Sequence, residues 1–272
     1  MTNEHGTDLD DGRFDRLYTP WRMNYVRGER RSAGCVFCDM RESNDNVANL
    51  MLHRGEHSYV VMNLFPYNTG HLLIVPNEHA ASPEELTPPV LHEIADFLPM
   101  SLRAIRLALA PAAFNVGYNL GDEAGAGIAA HMHQHVVPRW RGDANFMPII
   151  GGTKVLPELV EVTYAKLRPE FLRDLASVFQ INLTSADGLR TFVVRGNDNA
   201  LTMPVIRPVH GTPAWRTATE LIVGMGHHAQ LVGWSEVAGL PTLHFRSDAP
   251  ALDLDDGDWV DTDDVARLED VD

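Results

Sequence analysis

Residues 131–140 read "HMHQHVVPRW". His131, His133 and His135 occupy every second position, and the segment then runs through two valines and a proline towards Trp140. A strand sends side chains two apart to the same face. Consecutive imidazoles on a strand would therefore stand about 6.6 to 7 Å apart on one surface, with Met132, Gln134 and Val136 facing the other way. Neutral imidazoles in such a row suit two chemistries: metal ligation, or attack by one ring that its neighbours hold and polarise. The bland alternative is a chance or merely His-rich exposed strand. Three histidines within five residues, flanked by core-type side chains, speak against it.

The surroundings of this strand predict an α+β domain. "SYVVMNLFP" (58–66) and "GHLLIVP" (70–76) read as strands joined by turn chemistry around "YNT". Residues 82–111 carry a helical period, with Ser82 as N-cap, Pro83 in the first turn and Glu85 completing a capping box. "FNVGYNLG" (114–121) alternates as a strand, and "DEAGAGIAA" (122–130) is a small-residue loop. A second long helix is expected over 157–179, with Pro169 as a kink or boundary. In "LYTPWRMNYV" (17–26), Trp21 and Tyr25 are spaced to share one side of a short helix. After about residue 175 short apolar runs and turns, with one helix from Pro213, read as a small α+β appendage. The domain reading is a disordered N-terminus (1–13), a catalytic domain (14–175), the appendage (176–247) and a mobile acidic tail (248–272).

Composition is that of an ordinary globular protein, with 44% hydrophobic residues. The net charge of −15 is uneven. Residues 248–272 hold eleven acidic residues and one arginine, a net of −10, which leaves −5 for everything before them. The acidity therefore belongs to the tail, and it argues against nucleic acid as a partner. No apolar run approaches the roughly 18 residues of a membrane span. The polar, acidic first residues lack the regions of a signal peptide, so a cytoplasmic protein is expected. Cys35 and Cys38, in "GCVFCD", are half a metal site, a redox pair, or incidental.

"HMHQHVV" resembles the His-x-His-x-His-x-x signature of the histidine-triad (HIT) family of nucleotide hydrolases and transferases. "NLFPYNTGHLLIVPNEH" is similar to that family's strand pair, and "FNVGYNLGDEAGAG" to its phosphate-binding strand and loop. "VVPRWRGDANFMPIIGGTKVLPEL", with "LYTPWRMNYV", looks like the bacterial branch that phosphorolyses diadenosine tetraphosphate. The likeness covers roughly residues 14–175.

The resemblance implies an antiparallel five-stranded sheet with the 83–109 helix on one face, and a homodimer or higher homo-oligomer. It makes His133 the nucleophile and places His135 against the phosphate oxygens or the bridging oxygen, where its protonated form would offset charge as the phosphoryl group is transferred. His71 would sit beside the triad, although a buried structural histidine is an equally good account of it. Asn119 would reach the α-phosphate or hold the loop, and the amides of Gly125, Ala126 and Gly127 would cradle phosphates. Related sequences often carry serine where Gly127 aligns, so one hydroxyl is missing here. Asn63 takes the ribose position. Leu64 and Phe65 would flank the base or simply pack in the core. Trp140, Arg139 or Arg141, Asn145 and Lys154 are candidates for the distal phosphates or the incoming phosphate. Cys35, Cys38, His79 and His131 would hold a structural zinc, and a divalent cation would accompany the polyphosphate.

The activity implied is transfer of a nucleotidyl group from diadenosine tetraphosphate to inorganic phosphate, giving ATP and ADP. One alternative is a hydrolase that uses water on dinucleoside polyphosphates or nucleoside phosphoramidates. Another is a non-catalytic nucleotide-binding regulatory module.

Overall fold

A computed structural model describes residues 34–143, 158–173, 178–195, 201–237, 240–248 and 258–262, together with the backbone of 15–16 and 153–154. A two-residue strand β1 (Asp15–Arg16) precedes the first helix, α1 (Val36–Glu42). Then come β2 (Met51–Arg54), β3 (Ser58–Met62), β4 (Leu72–Pro76), α2 (Pro88–Leu109), β5 (Ala113–Tyr118) and β6 (Gln134–Arg139). These strands form one antiparallel five-stranded sheet in the order β2-β3-β4-β6-β5.

Every residue of β3 and β4 is buried, because the sheet is covered on both faces. Val60, Met62, Leu72, Ile74 and Val136 pack on Val90, Ile94, Ile105 and Ala108 of α2. Tyr59, Val61, Leu73 and Val75 alternate to the opposite face and pack on Phe37 and Met40 of α1. Val61 and Leu73 are directly paired, and Leu73 pairs with His135. His135 therefore belongs to the α1 face. Gly70 makes the β3–β4 connection possible: its φ is +75°, and an added Cβ would meet Leu109 Cδ1 at 2.5 Å.

Several elements differ at their ends from the sequence expectation. The 58–66 strand stops at Met62, because Asn63 turns the chain with a bond from the Phe65 N–H to its Oδ1 (2.9 Å). The 82–111 helix divides into a 3-10 turn (Pro83–Glu85) and α2, which starts after Thr87 with prolines in its first turn. The capping box does not form: Glu85 accepts from the Ala81 N–H (3.0 Å) rather than from that of Ser82, and Ser82 donates to Glu84 instead of capping. The triad strand starts only at Gln134, because the Met132 N–H is bound to Ala80 O (2.7 Å) rather than to a neighbouring strand.

The chain continues through β7 (Thr153–Lys154), which pairs with β1, to α3 (Val160–Leu172). Pro169 is no boundary: α3 runs through it, held by buried Leu167 and Phe171. Next come β8 (Phe179–Thr184), β9 (Arg190–Arg195), β10 (Leu201–Thr202), β11 (Val205–Ile206), α4 (Ala214–Gly224), β12 (Ala229–Val237), β13 (Leu240–Ser247) and β14 (Asp258–Asp261). They build a seven-stranded sheet with the path β10-β9-β8-β13-β12. Its strand β14 comes from the stretch read as an acidic tail: it pairs with β9, and Trp259 is buried. Trp21 and Tyr25 lie outside the described residues.

Candidate active site and metal centre

The three histidines converge on the α1 face of the first sheet. His131 is fully buried, and His133 and His135 nearly so. The His133 and His135 ring centroids are 4.8 Å apart, and Phe37 packs on His133 at 4.9 Å and on His131 at 5.4 Å. The backbone fixes the proton of each ring. A carbonyl can only accept, so His133 Nδ1–H donates to His131 O (3.0 Å) and leaves the lone pair on Nε2. His131 likewise donates Nε2–H to Pro76 O (3.0 Å), which leaves its Nδ1 as an electron-pair donor.

His71 and His135 form a relay whose direction a backbone amide sets. The Tyr67 N–H donates to His71 Nδ1 (2.9 Å), and the Asn63 amide donates to the same atom (3.2 Å). His71 Nε2 must then carry the proton and donate to His135 Nδ1 (2.9 Å). His135 is left with Nε2–H, a buried donor with no hydrogen-bond partner among the described residues. Buried donors are ordinarily paired, so this one marks the place of an acceptor that the protein does not itself provide.

Burial lowers the pKa of His131 and of His133. Burial and then the neighbouring His133 push His135 down to about 4. All three are therefore neutral in the free protein at pH 7. In the free protein His135 thus presents a neutral Nε2–H donor.

Cys35 Sγ lies 3.3 Å from His131 Nδ1, and Cys38 Sγ lies 3.4 Å from His79 Nδ1 and 3.7 Å from His131 Nδ1. All four ligand atoms fall within 4.8 Å of one another. A tetrahedral zinc with bonds of about 2.0–2.3 Å holds its ligand atoms roughly 3.5 Å apart. The soft–borderline S2N2 donor set and the free His131 Nδ1 lone pair fit such an ion. Both cysteines are free thiols, and burial and then Cys35 raise the Cys38 pKa, a cost that a bound dication reverses.

The remaining candidates are placed unevenly. Asn119 donates to the Tyr67 hydroxyl (3.5 Å) beside the relay. Asn63 is engaged at both ends, on His71 and on the Phe65 N–H, so it holds the turn. Leu64 packs between the two apolar clusters, and Phe65 is half-buried. Gly125 takes φ +79° in an exposed loop whose Ala126 is half-buried, and a Cβ at Gly127 would meet nothing, so a serine there would fit. Arg139 is engaged within the protein: its guanidinium is clasped by Asp143 (2.7 and 2.8 Å) and donates to Asn115 (2.8 Å). The Trp140 N–H also donates to Asp143 (3.0 Å), and Arg141 is exposed. Asn145 lies outside the described residues, and Lys154 is described only as a backbone partner of Arg16.

Three residues escaped the sequence reading. Tyr67 stacks on His135 (5.5 Å, 12°), Phe37 lies under the first two histidines, and Asp143 gathers Arg139, Asn68 and the Trp140 amide. Tyr67 sits four residues from His71, and Phe37 between the two cysteines. Proximity to a suspected site was the available signal for both.

A family description, the HIT domain, matches residues 44–142. The chain belongs to the HIT family and is an enzyme of that family. It is 42% identical over 168 residues to the AP-4-A phosphorylase of Mycobacterium tuberculosis (strain H37Rv), covering 59% of this chain and 86% of that protein. It is 30% identical over 105 residues to adenosine 5'-monophosphoramidase hnt1 of Schizosaccharomyces pombe, covering 39% of this chain and 74% of that one. Among solved structures, a Zn-bound histidine triad family protein from Mycobacterium smegmatis is 25% identical with a TM-score of 0.42, over 52% of this chain and 94% of that chain. No helix among the described residues is long and apolar enough to cross a membrane.

Proposed function

We propose that the protein is a nucleotidyltransferase that cleaves diadenosine tetraphosphate with inorganic phosphate, giving ATP and ADP. His133 Nε2 attacks the α-phosphorus, and an N–P bond forms as the P–O bond to the leaving ATP breaks. The electron pair of that bond goes to the bridging oxygen, which the His135 Nε2–H meets as a hydrogen-bond donor. Phosphate oxygen then attacks the adenylylated His133 and releases ADP. The amides of Gly125, Ala126 and Gly127, with Asn119, hold the phosphates, and Trp140, Asn145 and Lys154 belong to the second half of the site. The observation that carries this reading is the pairing of an available His133 Nε2 lone pair with an unpartnered His135 Nε2–H. The likeness to a protein named AP-4-A phosphorylase selects the substrate class.

Cys35, Cys38, His79 and His131 hold zinc in this proposal. Four protein ligands leave no open position, so the ion is structural and fixes His131 two residues from the nucleophile. A reduced thiol pair of this kind supports a cytoplasmic setting. β5 is an edge strand with Val116 exposed on it and Leu120 exposed just beyond its end, which supports a homodimer.

A second reading, hydrolysis by water, is favoured by the likeness to a monophosphoramidase and by the exposed glycine loop. Product analysis with diadenosine tetraphosphate separates the two. ADP plus ATP formed only with phosphate supports transfer, whereas AMP plus ATP formed without phosphate means hydrolysis.

A further inference from the structure

α1 has two functions to serve at once: its start carries Cys35 and Cys38, and Phe37 supports the His131 and His133 rings. A seven-residue helix is too short to hold its own position. Something must fix it to the sheet.

Arg54 and Tyr59 are directly paired across β2 and β3. The Arg54 guanidinium reaches the last turn of α1 and uses all three nitrogens. It donates to Arg41 O (2.9 Å), to Met40 O (3.1 Å) and to Ser43 O (2.6 Å), while its Nε donates to Asn46 Oδ1 (2.8 Å). Those carbonyls are the ones an α-helix leaves unsatisfied at its C-terminus, where a cation is also favoured by the dipole. The Tyr59 hydroxyl donates to Phe37 O (2.8 Å) in the first turn of the helix. β2 is itself fixed from its outer side by α3: Tyr164 donates to Met51 O (3.0 Å) and Arg168 to Leu52 O (2.5 Å). Arg168 in turn faces Glu236 of β12 at 3.6 Å. A continuous set of contacts thus runs from the C-terminal sheet through β2 to α1.

We propose that Arg54, with Tyr59, is a positioning residue that sets α1 so that the cysteine pair and Phe37 hold the His131–His133 segment. The inference rests on the zinc and nucleophile assignments above. It gives the C-terminal region a role in the active site without contact to substrate.

The test uses the full-length protein loaded with cobalt(II) and the variants Arg54→Lys and Tyr59→Phe. Lysine keeps the charge but, as a point donor, cannot reach four acceptors in a fixed fork. Tyr59→Phe removes one hydroxyl and guards against a lysine variant that fails to fold. Loss of a supporting contact of this kind lowers metal affinity or activity about 10- to 100-fold. The expected result, in folded protein at fixed temperature, is about tenfold faster release of cobalt to a chelator, an altered thiolate-to-cobalt absorption band, and a lower kcat at unchanged KM. Wild-type release, spectrum and kcat in both folded variants would overturn the assignment. If the wild type binds no cobalt, the zinc reading fails by itself. A lower kcat at unchanged KM then still supports positioning, and an unchanged kcat overturns it.

Discussion

Replacing His71 with phenylalanine separates a relay from a merely buried histidine. The ring fills nearly the same volume in a fully buried site, so packing is largely retained. Three hydrogen bonds are lost: Tyr67 N–H to Nδ1 (2.9 Å), Nε2–H to His135 Nδ1 (2.9 Å), and the longer one from the half-buried Asn63 amide to Nδ1 (3.2 Å), whose donor can turn to water. Each neutral bond is worth about 1 kcal/mol net, and an amide left without a partner costs about 1–3 kcal/mol. The stability loss should therefore be about 2–3 kcal/mol, which lowers Tm by about 4–12 °C in a domain of this size. The catalytic effect has a different origin. His135 stays in place, but nothing holds its proton on Nε2, and a loss of about 1–1.5 kcal/mol in the transition state is about 5- to 15-fold in kcat. Removing the donor itself, in His135→Ala, should cost about 10²- to 10³-fold. Replacing His133 should abolish turnover. Steady-state kinetics with diadenosine tetraphosphate and phosphate, beside thermal melts, would measure this ordering. A His71→Phe enzyme with wild-type kcat, or one as inactive as the His133 variant, refutes the relay.

Acidification tests the buried neutral state of His135. Its folded pKa of about 4 lies below the ordinary value of 6.5, so below that value the unfolded chain binds more protons. Stability should fall as pH drops from 6.5 towards 4, by up to about 3 kcal/mol, and His135→Asn should flatten that slope in urea titrations. Asp143 depends on pH with the same sign, in a lower window. The hydrogen bond from Arg139 holds its carboxyl well below the usual carboxylate range, so its contribution is complete above about pH 4 and is lost below it. Asp143→Ala should cost about 2–3 kcal/mol at pH 7, discounted for the partial exposure of Arg139, and a melt would show it. Cys38→Ala should reduce bound zinc, counted by elemental analysis, from one per chain to near zero.

The first sheet was legible because its signals are local and redundant. β3 and β4 are unbroken apolar runs ended by turn residues, and histidines in two-residue steps have few uses. Strand and helix ends were less legible, because single bonds decide them, such as Met132 N–H to Ala80 O and the Asn63 turn. α1 and β2 went unread: α1 is too short to show a period, and β2 is four residues with a bulge in its pairing. In the C-terminal sheet, β13 pairs in parallel with β8 some sixty residues earlier, through a register no local pattern specifies. Arg139 looked like a phosphate ligand because a sequence displays a charge but not its partner. Asp143, four residues on, takes that charge.

The central claim is a covalent bond between phosphorus and one histidine. Mixing the protein with diadenosine tetraphosphate without phosphate, quenching, and mapping peptides by mass spectrometry tests it directly. The account predicts an adenylate on His133, discharged as ADP when phosphate is added. Turnover with no adenylylated histidine, or with the adenylate on another residue, would contradict it.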